Sequence, residues 1–128
     1  MIAFHLDNRS GVPAYMQLVH QVRQAIRLGT LRPGDQLPTV KEVVGSLAIN
    51  PNTVLKAYRE LDLEGLVEGR RGQGTFVSSG QPPQPPADLK AVRSGLERWI
   101  AAAHAAGLDD ESIAALLADT LRASEKVA

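Results

Sequence analysis

The chain has 128 residues, 44% of them hydrophobic and only 4% aromatic, which suits one ordinary domain or a small domain with an appendage. It contains no cysteine, so disulfides and thiolate metal sites are excluded. The opening residues MIAFHLDNR lack the apolar region of a signal peptide, and no apolar stretch is long enough for a membrane span. We therefore expect a cytoplasmic protein that has an aliphatic core, needs no cofactor and does not contact a membrane.

Acidic and basic residues number 14 each, so the formal net charge at pH 7 is zero. Residues 1–80 carry nine Lys and Arg against seven Asp and Glu, and residues 81–128 carry five against seven. This weak asymmetry excludes a protein that coats nucleic acid through bulk charge. Any nucleic-acid binding would depend on a few well-placed basic side chains and on dimerisation.

The beginning of the chain predicts an extended arm followed by one helix. Residues 1–11 have no helical pattern and lead into Pro13. Arg32-Pro33-Gly34-Asp35 has the proline and glycine that a type II turn requires. Between them, apolar residues recur at helical spacing up to Gly29, a typical residue just beyond a helix end. These apolar residues are Tyr15, Leu18, Val19, Val22 and Ile26.

Two short helices separated by a two-residue joint follow. Thr39 and Glu42 form a Thr-x-x-Glu capping box at the start of the first helix. Asn50 is a favoured N-cap for the second helix, and Pro51 suits its first position. Each helix has one apolar stripe, comprising Val40, Val43, Val44 and Leu47 in the first and Val54, Ala57, Tyr58 and Leu61 in the second. This arrangement is typical of a helix-turn-helix, whose second helix enters a DNA major groove.

A glycine-rich hairpin is predicted after the second helix, which Gly65 ends. Residues 66–69 and 75–78 predict two short strands. Arg70-Arg71-Gly72-Gln73-Gly74 joins them, and its glycines permit close approach of the backbone to a ligand. The helix-turn-helix and this basic hairpin together predict a winged helix.

The rest of the chain predicts a linker and two helices. The linker contains SGQPPQPP, residues 79–86, whose prolines favour a semi-rigid spacer. Two one-sided helices in about 40 residues offer too little core for independent stability, so we expect a second copy of the chain to cover them. Trp99 suits packing better than ligand binding. The predicted dimerisation residues are Leu89, Val92, Leu96, Trp99, Ile100, Ile113, Leu116, Leu117 and Leu121.

Residues 13–77 resemble the winged-helix DNA-binding domain of GntR-type bacterial transcription regulators, and the short C-terminal extension resembles the YtrA-like subfamily. The resemblance is carried by LRPGDQLPTVKEV, NPNTVLKAYREL, EGL and RRGQGTFV, in that order. It implies a mainly α fold with a small β-hairpin. We expect a winged helix-turn-helix DNA-binding domain in residues 1–78, a Pro-rich linker in residues 79–87 and a two-helix C-terminal dimerisation region in residues 88–128.

The exposed start of the second helix holds the candidates for reading base pairs. Asn52 can pair bidentately with adenine, and Thr53 can meet a thymine methyl or a phosphate. Asn50 lies at the same end, although capping alone explains it more simply. Lys56, one turn later, suits a phosphate contact. Family members often carry a basic residue at the position of Leu55, so sequence reading would depend more on Lys56 here.

The other DNA-binding candidates lie at the start of the first helix of the motif and in the hairpin. By resemblance, Lys41 matches a basic DNA-contacting position, while an ordinary surface lysine explains it equally well. Thr39 precedes it. Thr75 could bind phosphate or simply suit a strand. The hairpin candidates for a minor-groove or phosphate contact are Arg70, Arg71, Gly72, Gln73, Gly74 and Thr75.

No enzymatic site is predicted. His5, His20 and His104 lack metal-ligand spacing, and Gly72-x-Gly74 is too short for a dinucleotide fingerprint. We therefore predict no catalytic residue and no metal.

The function predicted is that of a transcriptional regulator, a repressor of a neighbouring operon, that binds double-stranded DNA at an inverted-repeat operator as a homodimer. The resemblance implies that such an operon frequently encodes a membrane transporter. A small-molecule effector of unknown identity would bind between subunits or between the two parts, because two helices cannot enclose a pocket. Two alternatives stay open, a winged helix used for protein interaction and a small-ligand-binding protein without DNA function.

Overall fold

The computed structural model describes residues 2–80 and 87–125. The chain divides into two compact units, Met1–Pro85 and Pro86–Ala128. The first contains α1 (Ala14–Arg27), α2 (Val40–Leu47), α3 (Pro51–Leu63), β1 (Val67–Arg70) and β2 (Gly74–Val77), and the second contains α4 (Leu89–Ala105) and α5 (Asp110–Glu125). The predicted mainly α fold with a small β-hairpin is confirmed. Residues 81–86 of the predicted linker lie outside the described residues.

The core of the first unit is aliphatic and lies between α1, α3 and the hairpin. Leu18, Val19 and Val22 of α1 and Val54 and Leu61 of α3 have no exposed surface. They belong to the apolar stripes that helical spacing predicts, because residues three and four apart share one helix face. Burial of such side chains stabilises the fold by about 1.5–3 kcal/mol each.

Tyr58 joins α3 to the segment before α2. Its hydroxyl donates a hydrogen bond to the backbone carbonyl oxygen of Pro38 at 2.6 Å. The side chain is almost fully buried, and this burial raises its pKa well above the usual range because the charged form would lose solvation. The Tyr58 side chain is therefore held as a neutral phenol between α3 and the segment before α2.

The N-terminal arm is extended, as predicted, and it packs on the first unit. Ile2, Phe4 and Leu6 alternate toward the core. Gln21 of α1 accepts from the backbone N–H of His5 at 3.1 Å and donates to its carbonyl oxygen at 2.7 Å. Gln17 accepts from the N–H of Asp7 at 2.8 Å. Two glutamines one turn apart therefore satisfy the backbone of the arm in place of a neighbouring strand.

The start of α2 and the joint that follows it agree with the sequence pattern. The hydroxyl of Thr39 accepts from the N–H of Glu42 at 3.1 Å, and the carboxylate of Glu42 accepts from the N–H of Thr39 at 3.1 Å. Hydrogen bonding by the Thr39 backbone N–H, and after it by the Thr39 hydroxyl, lowers the pKa of the Glu42 carboxyl, because it favours the charged form. Ala48 then adopts a left-handed conformation with φ of 53°, which ends α2 and turns the chain into α3.

The hairpin differs from the prediction by one residue on each strand. The sequence predicts strands at residues 66–69 and 75–78, whereas β1 is Val67–Arg70 and β2 is Gly74–Val77. Each strand is therefore displaced by one residue toward the turn. Arg70 and Gly74 pair across the antiparallel ladder, and Gln73 N–H donates to the Arg70 carbonyl at 2.9 Å. Gly72 and Gly74 have φ of 75° and 126°. Because glycine accepts these angles, the turn closes in three residues, 71–73, and the strands extend closer to it than composition suggests.

The second unit is a pair of helices joined at Gly107, whose φ is 99°. The carboxylate of Asp109 accepts from the N–H of Ser112 at 2.8 Å and thereby caps α5. Hydrogen bonds from the Ser112 side chain and from its backbone N–H lower the pKa of the Asp109 carboxyl. Ala103 of α4 and Ile113 of α5 are buried in this unit. Among the described residues of this unit, one alanine and one isoleucine are buried, so its core is thin, as expected for a unit of this size.

Candidate nucleic-acid interface

The exposed start of α3 presents the residues expected to read base pairs. Asn50 caps the helix, because its side-chain oxygen accepts from the N–H of Asn52 at 2.8 Å. Capping uses the acceptor of Asn50 and leaves its amide group as a donor. The side chain of Asn52 is exposed in the first turn, and Thr53 next to it is half-buried. Both lie at the positive end of the helix dipole, which favours an approaching phosphate.

Lys56 lies one turn further along α3 and contacts α1. Its ammonium group is 4.1 Å from the centroid of the Tyr15 ring, a cation–π contact. The lysine side chain is exposed, so its charge remains open to solvent and to a phosphate. Tyr15 was expected only as a core residue, since nothing in the spacing of the α1 stripe indicates a contact with a lysine of α3.

Leu55 occupies the exposed face of α3 between these polar residues. It is 44% exposed, because helical spacing places it off the buried stripe of α3. An apolar side chain there offers contact to a thymine methyl but no hydrogen bond to a base edge. The polar contacts of α3 with a duplex therefore have to come from its neighbours.

The start of α2 and the hairpin border one shallow, open surface. Thr39 lies on one side of it, and residues Gly69–Thr75 form the other. Two parts of the site that are thirty or more positions apart in sequence are thus brought together. Lys41 is exposed in the first turn of α2 but does not line this surface.

Arg70 does not lie at the hairpin tip, where the sequence analysis placed it. It is the last residue of β1, with its guanidinium 4.2 Å from the ring centroid of Phe76 and 3.1 Å from the carboxylate of Glu68. These contacts hold Arg70 along the strand, because Phe76 faces Glu68 across the ladder. The tip consists of Arg71, Gly72 and Gln73, so Arg71 is its basic side chain.

One polar residue of this region was missed by the sequence analysis. Gln36 lies just before α2, and its side chain donates to the carbonyl oxygen of Gln73 at 3.0 Å. The local sequence carries no signal for this bond, because the two residues are 37 positions apart. Only the folding of β2 against the segment before α2 brings them together.

The predicted dimerisation residues fall into an exposed group and a covered group. Exposed fractions are 56% for Val92, 44% for Leu96, 37% for Trp99, 41% for Leu116 and 69% for Leu121. Leu89, Ile100 and Leu117 are half-buried, and Ile113 is 6% exposed. Val92, Leu96 and Trp99, spaced at i, i+4 and i+7, leave an exposed apolar face on α4. The covered group contributes instead to contacts within the second unit.

Over residues 2–80 and 87–125, no group of three or more His, Cys, Asp or Glu side chains is placed to hold a metal ion. Every helix in the same ranges is too short or too polar to cross a bilayer.

Comparison with known proteins identifies the family. Residues 14–77 match the family model described as bacterial regulatory proteins, gntR family. The HTH-type transcriptional repressor YtrA of Bacillus subtilis (strain 168) is 37% identical over 109 residues, which cover 84% of this chain and 84% of that protein.

Solved structures give the same result. YtrA from Sulfolobus acidocaldarius, a GntR-family transcription factor, has a TM-score of 0.57 and 31% identity, covering 77% of this chain and 97% of that one. AraR(DBD) in complex with operator ORE1 has a TM-score of 0.51 and 27% identity, covering 61% of this chain and 95% of that one. Because the matches include both helices of the motif and the hairpin, this chain belongs to the GntR family of DNA-binding bacterial transcriptional regulators, which are not enzymes, and is a YtrA-like member with a winged helix-turn-helix.

Proposed function

We propose that this chain is a repressor that binds an inverted-repeat operator as a homodimer and controls a neighbouring operon. The observation that carries the proposal is the shallow, open surface that Thr39 at the start of α2 shares with the hairpin tip. A winged helix that contacts DNA needs these two parts to meet the same duplex while α3 enters the major groove. The similarity to the repressor YtrA of Bacillus subtilis supports repression, and the family resemblance points to a transporter operon.

The DNA-binding residues are proposed in two roles. Asn52 and Thr53 read base edges from the start of α3, with the amide of Asn50 beside them. Phosphate and minor-groove contacts come from the start of α2, from the middle of α3 and from the hairpin. The residues of this second group are Thr39, Lys41, Lys56, Arg71, Gly72, Gln73, Gly74 and Thr75. Arg70 contributes charge beside the tip, because its guanidinium is held along β1.

Dimerisation is proposed through the second unit. Its exposed apolar side chains form a face that a monomer would leave in water, and apolar burial contributes about 25 cal/mol per Å². A second copy of this chain is the occupant that an inverted-repeat operator requires, because a two-fold site mirrors a two-fold protein. Residues 1–78 would then bind DNA, residues 79–87 would link the parts and residues 88–128 would join the subunits.

The test is binding of the full chain to duplexes from the region upstream of its own gene. Fluorescence anisotropy at several salt concentrations should give tighter binding to one of these duplexes than to a scrambled duplex, and log K should fall with log salt. Arg71→Ala should weaken binding to both duplexes. Arg27→Ala is the matched control, since Arg27 is an exposed arginine in the last turn of α1, at the opposite end of that helix from Tyr15.

The same titration separates the alternatives. A protein-interaction module would show no salt-dependent binding to any duplex from its own upstream region. A small-ligand-binding protein would bind ligand without any change in DNA affinity. Either result would contradict the proposed function. A small-molecule effector would instead change the affinity for the preferred duplex.

A further inference from the structure

The segment before α2 pairs with β2 of the hairpin through backbone hydrogen bonds. The N–H of Leu37 donates to the Thr75 carbonyl at 2.8 Å, and the N–H of Val77 donates to the Asp35 carbonyl at 2.8 Å. Gln36 lies between these bonds and faces Phe76 of β2 as an antiparallel bridge. From Thr75 to Val77, β2 is therefore attached to the segment that leads directly into Thr39 and α2.

The side chain of Gln36 extends this attachment to the tip. Its amide nitrogen Nε2 donates to the Gln73 carbonyl oxygen at 3.0 Å. Among the side-chain hydrogen bonds of residues 2–80 and 87–125, this one alone reaches the turn 71–73 from outside the hairpin. A short two-stranded hairpin is only marginally stable alone. Gly72 in its turn and Gly74 just after the turn add backbone freedom. The bond therefore restrains a segment that has little other support.

Gly74 makes the contact possible. A Cβ atom added at Gly74 would lie 2.7 Å from Nε2 of Gln36, so any side chain there would displace the Gln36 carboxamide from this position. The φ of Gly74 is +126°, a value that other residues rarely adopt. The carboxamide of Gln36 thus packs against bare backbone at the point where the turn becomes β2.

We propose that Gln36 is a positioning residue for DNA binding, which sets the hairpin tip relative to the start of α2. This inference rests on the proposed function, in which Arg71 at the tip and Thr39 at α2 contact one duplex. An ordered tip loses less conformational freedom on binding, so the same contacts give tighter binding. One neutral hydrogen bond of about 1 kcal/mol corresponds to about a fivefold change in affinity.

The first experiment uses Gln36→Met in the full chain, because methionine has similar length and no donor. Binding to the preferred upstream duplex should weaken by about three- to tenfold, while the thermal unfolding midpoint falls by no more than a few degrees because the protein stays folded. Gln36→Ala should behave in the same way. Gln24→Met, at an exposed glutamine of α1, is the control and should leave affinity unchanged. Wild-type affinity in both Gln36 variants would overturn the inference.

The second experiment asks whether Gln36 acts through the tip. In an Arg71→Ala background, Gln36→Met should cause less than a twofold further loss, because the tip contact it positions is already gone. A full additional loss would show that Gln36 acts elsewhere and would overturn the positioning role.

The third experiment needs no DNA. Amide hydrogen exchange of residues 71–74 in the free protein should be several times faster in Gln36→Met than in wild type, while exchange in α1 stays the same. Unchanged exchange at the tip would reject the inference even if the protein binds its operator. If the tip exchanges faster in Gln36→Met but the wild-type protein binds no DNA, the restraint of the tip by Gln36 is supported and the proposed function is contradicted.

Discussion

The ammonium group of Lys56 on α3 lies 4.1 Å from the ring centroid of Tyr15 on α1. Such a contact at an exposed site contributes about 0.5–1 kcal/mol. A lysine normally loses side-chain freedom when it binds phosphate, and the ring removes part of that freedom beforehand. This contact joins α3 to the beginning of α1. The position of the Lys56 charge therefore depends on a residue outside the helix-turn-helix.

The first prediction concerns this pair. Lys56→Ala should weaken binding to all duplexes similarly and lower the salt slope by about one, as for a phosphate contact. Tyr15→Leu should weaken binding by less than Lys56→Ala, because the charge remains but is no longer held. Tyr15→Phe retains the ring and should bind as wild type does. Titrations at four or more salt concentrations measure these slopes, and an unchanged slope for Lys56→Ala would remove Lys56 from the phosphate contacts.

The second prediction concerns base reading at the start of α3. Asn52→Ala should cost about 1–3 kcal/mol on the preferred duplex and little on a random one, because a bidentate contact to adenine discriminates between bases. Asn8→Ala, at an exposed asparagine in the turn before α1, serves as the control. Equal losses on both duplexes would show that Asn52 binds the backbone of DNA and does not read sequence.

The third prediction concerns the stability of the motif. Tyr58→Phe removes the 2.6 Å hydrogen bond to the Pro38 carbonyl and should lower the free energy of unfolding by about 1–3 kcal/mol. The cost is large for one hydroxyl, because the bond is buried and the carbonyl loses its donor. Urea unfolding of both proteins measures the difference. Tyr15→Phe is the control, since Tyr15 is only half-buried, and a similar loss there would contradict the argument from burial.

The fourth prediction concerns assembly. Leu96→Asp places a charge on the exposed apolar face of α4, where Leu96 is 44% exposed. The isolated chain should tolerate it, whereas an interface would have to bury an unpaired charge, so sedimentation should show a shift from dimer to monomer. Ala101→Asp adds the same charge at an exposed position that helical spacing places away from this face, and it should remain dimeric. A Leu96→Asp variant that is still a dimer would locate the interface elsewhere.

The fifth prediction concerns the operator. Two α3 helices related by two-fold symmetry should occupy half-sites whose centres lie about 10 base pairs apart or at a multiple of that distance. Inserting about five base pairs between the half-sites rotates one to the opposite face of the duplex. Affinity should then fall to the level of a single half-site, which is about 10² to 10⁴ weaker. Unchanged affinity would mean that the two winged helices bind independently.

Local patterns in the sequence were sufficient to predict the helices and their buried faces. The Thr39–Glu42 capping box, the Asn50 cap and the stripe containing Val54 and Leu61 all involve residues within a few positions of one another. Short-range steric and hydrogen-bonding preferences decide such features before any tertiary contact forms. The resemblance to GntR regulators used the same segments and was confirmed by the match over residues 14–77.

Contacts between distant segments could not be predicted in this way. The hydrogen bond from Gln36 to Gln73, the position of Lys56 over Tyr15 and the placement of Arg70 along β1 each join separate elements. A polar side chain on a surface has many local partners of nearly equal energy, so its own sequence neighbourhood does not select one. Packing of α1 on α3, and of the hairpin on the segment before α2, brings one partner within reach and thereby decides which basic side chains are held and which are left at the tip.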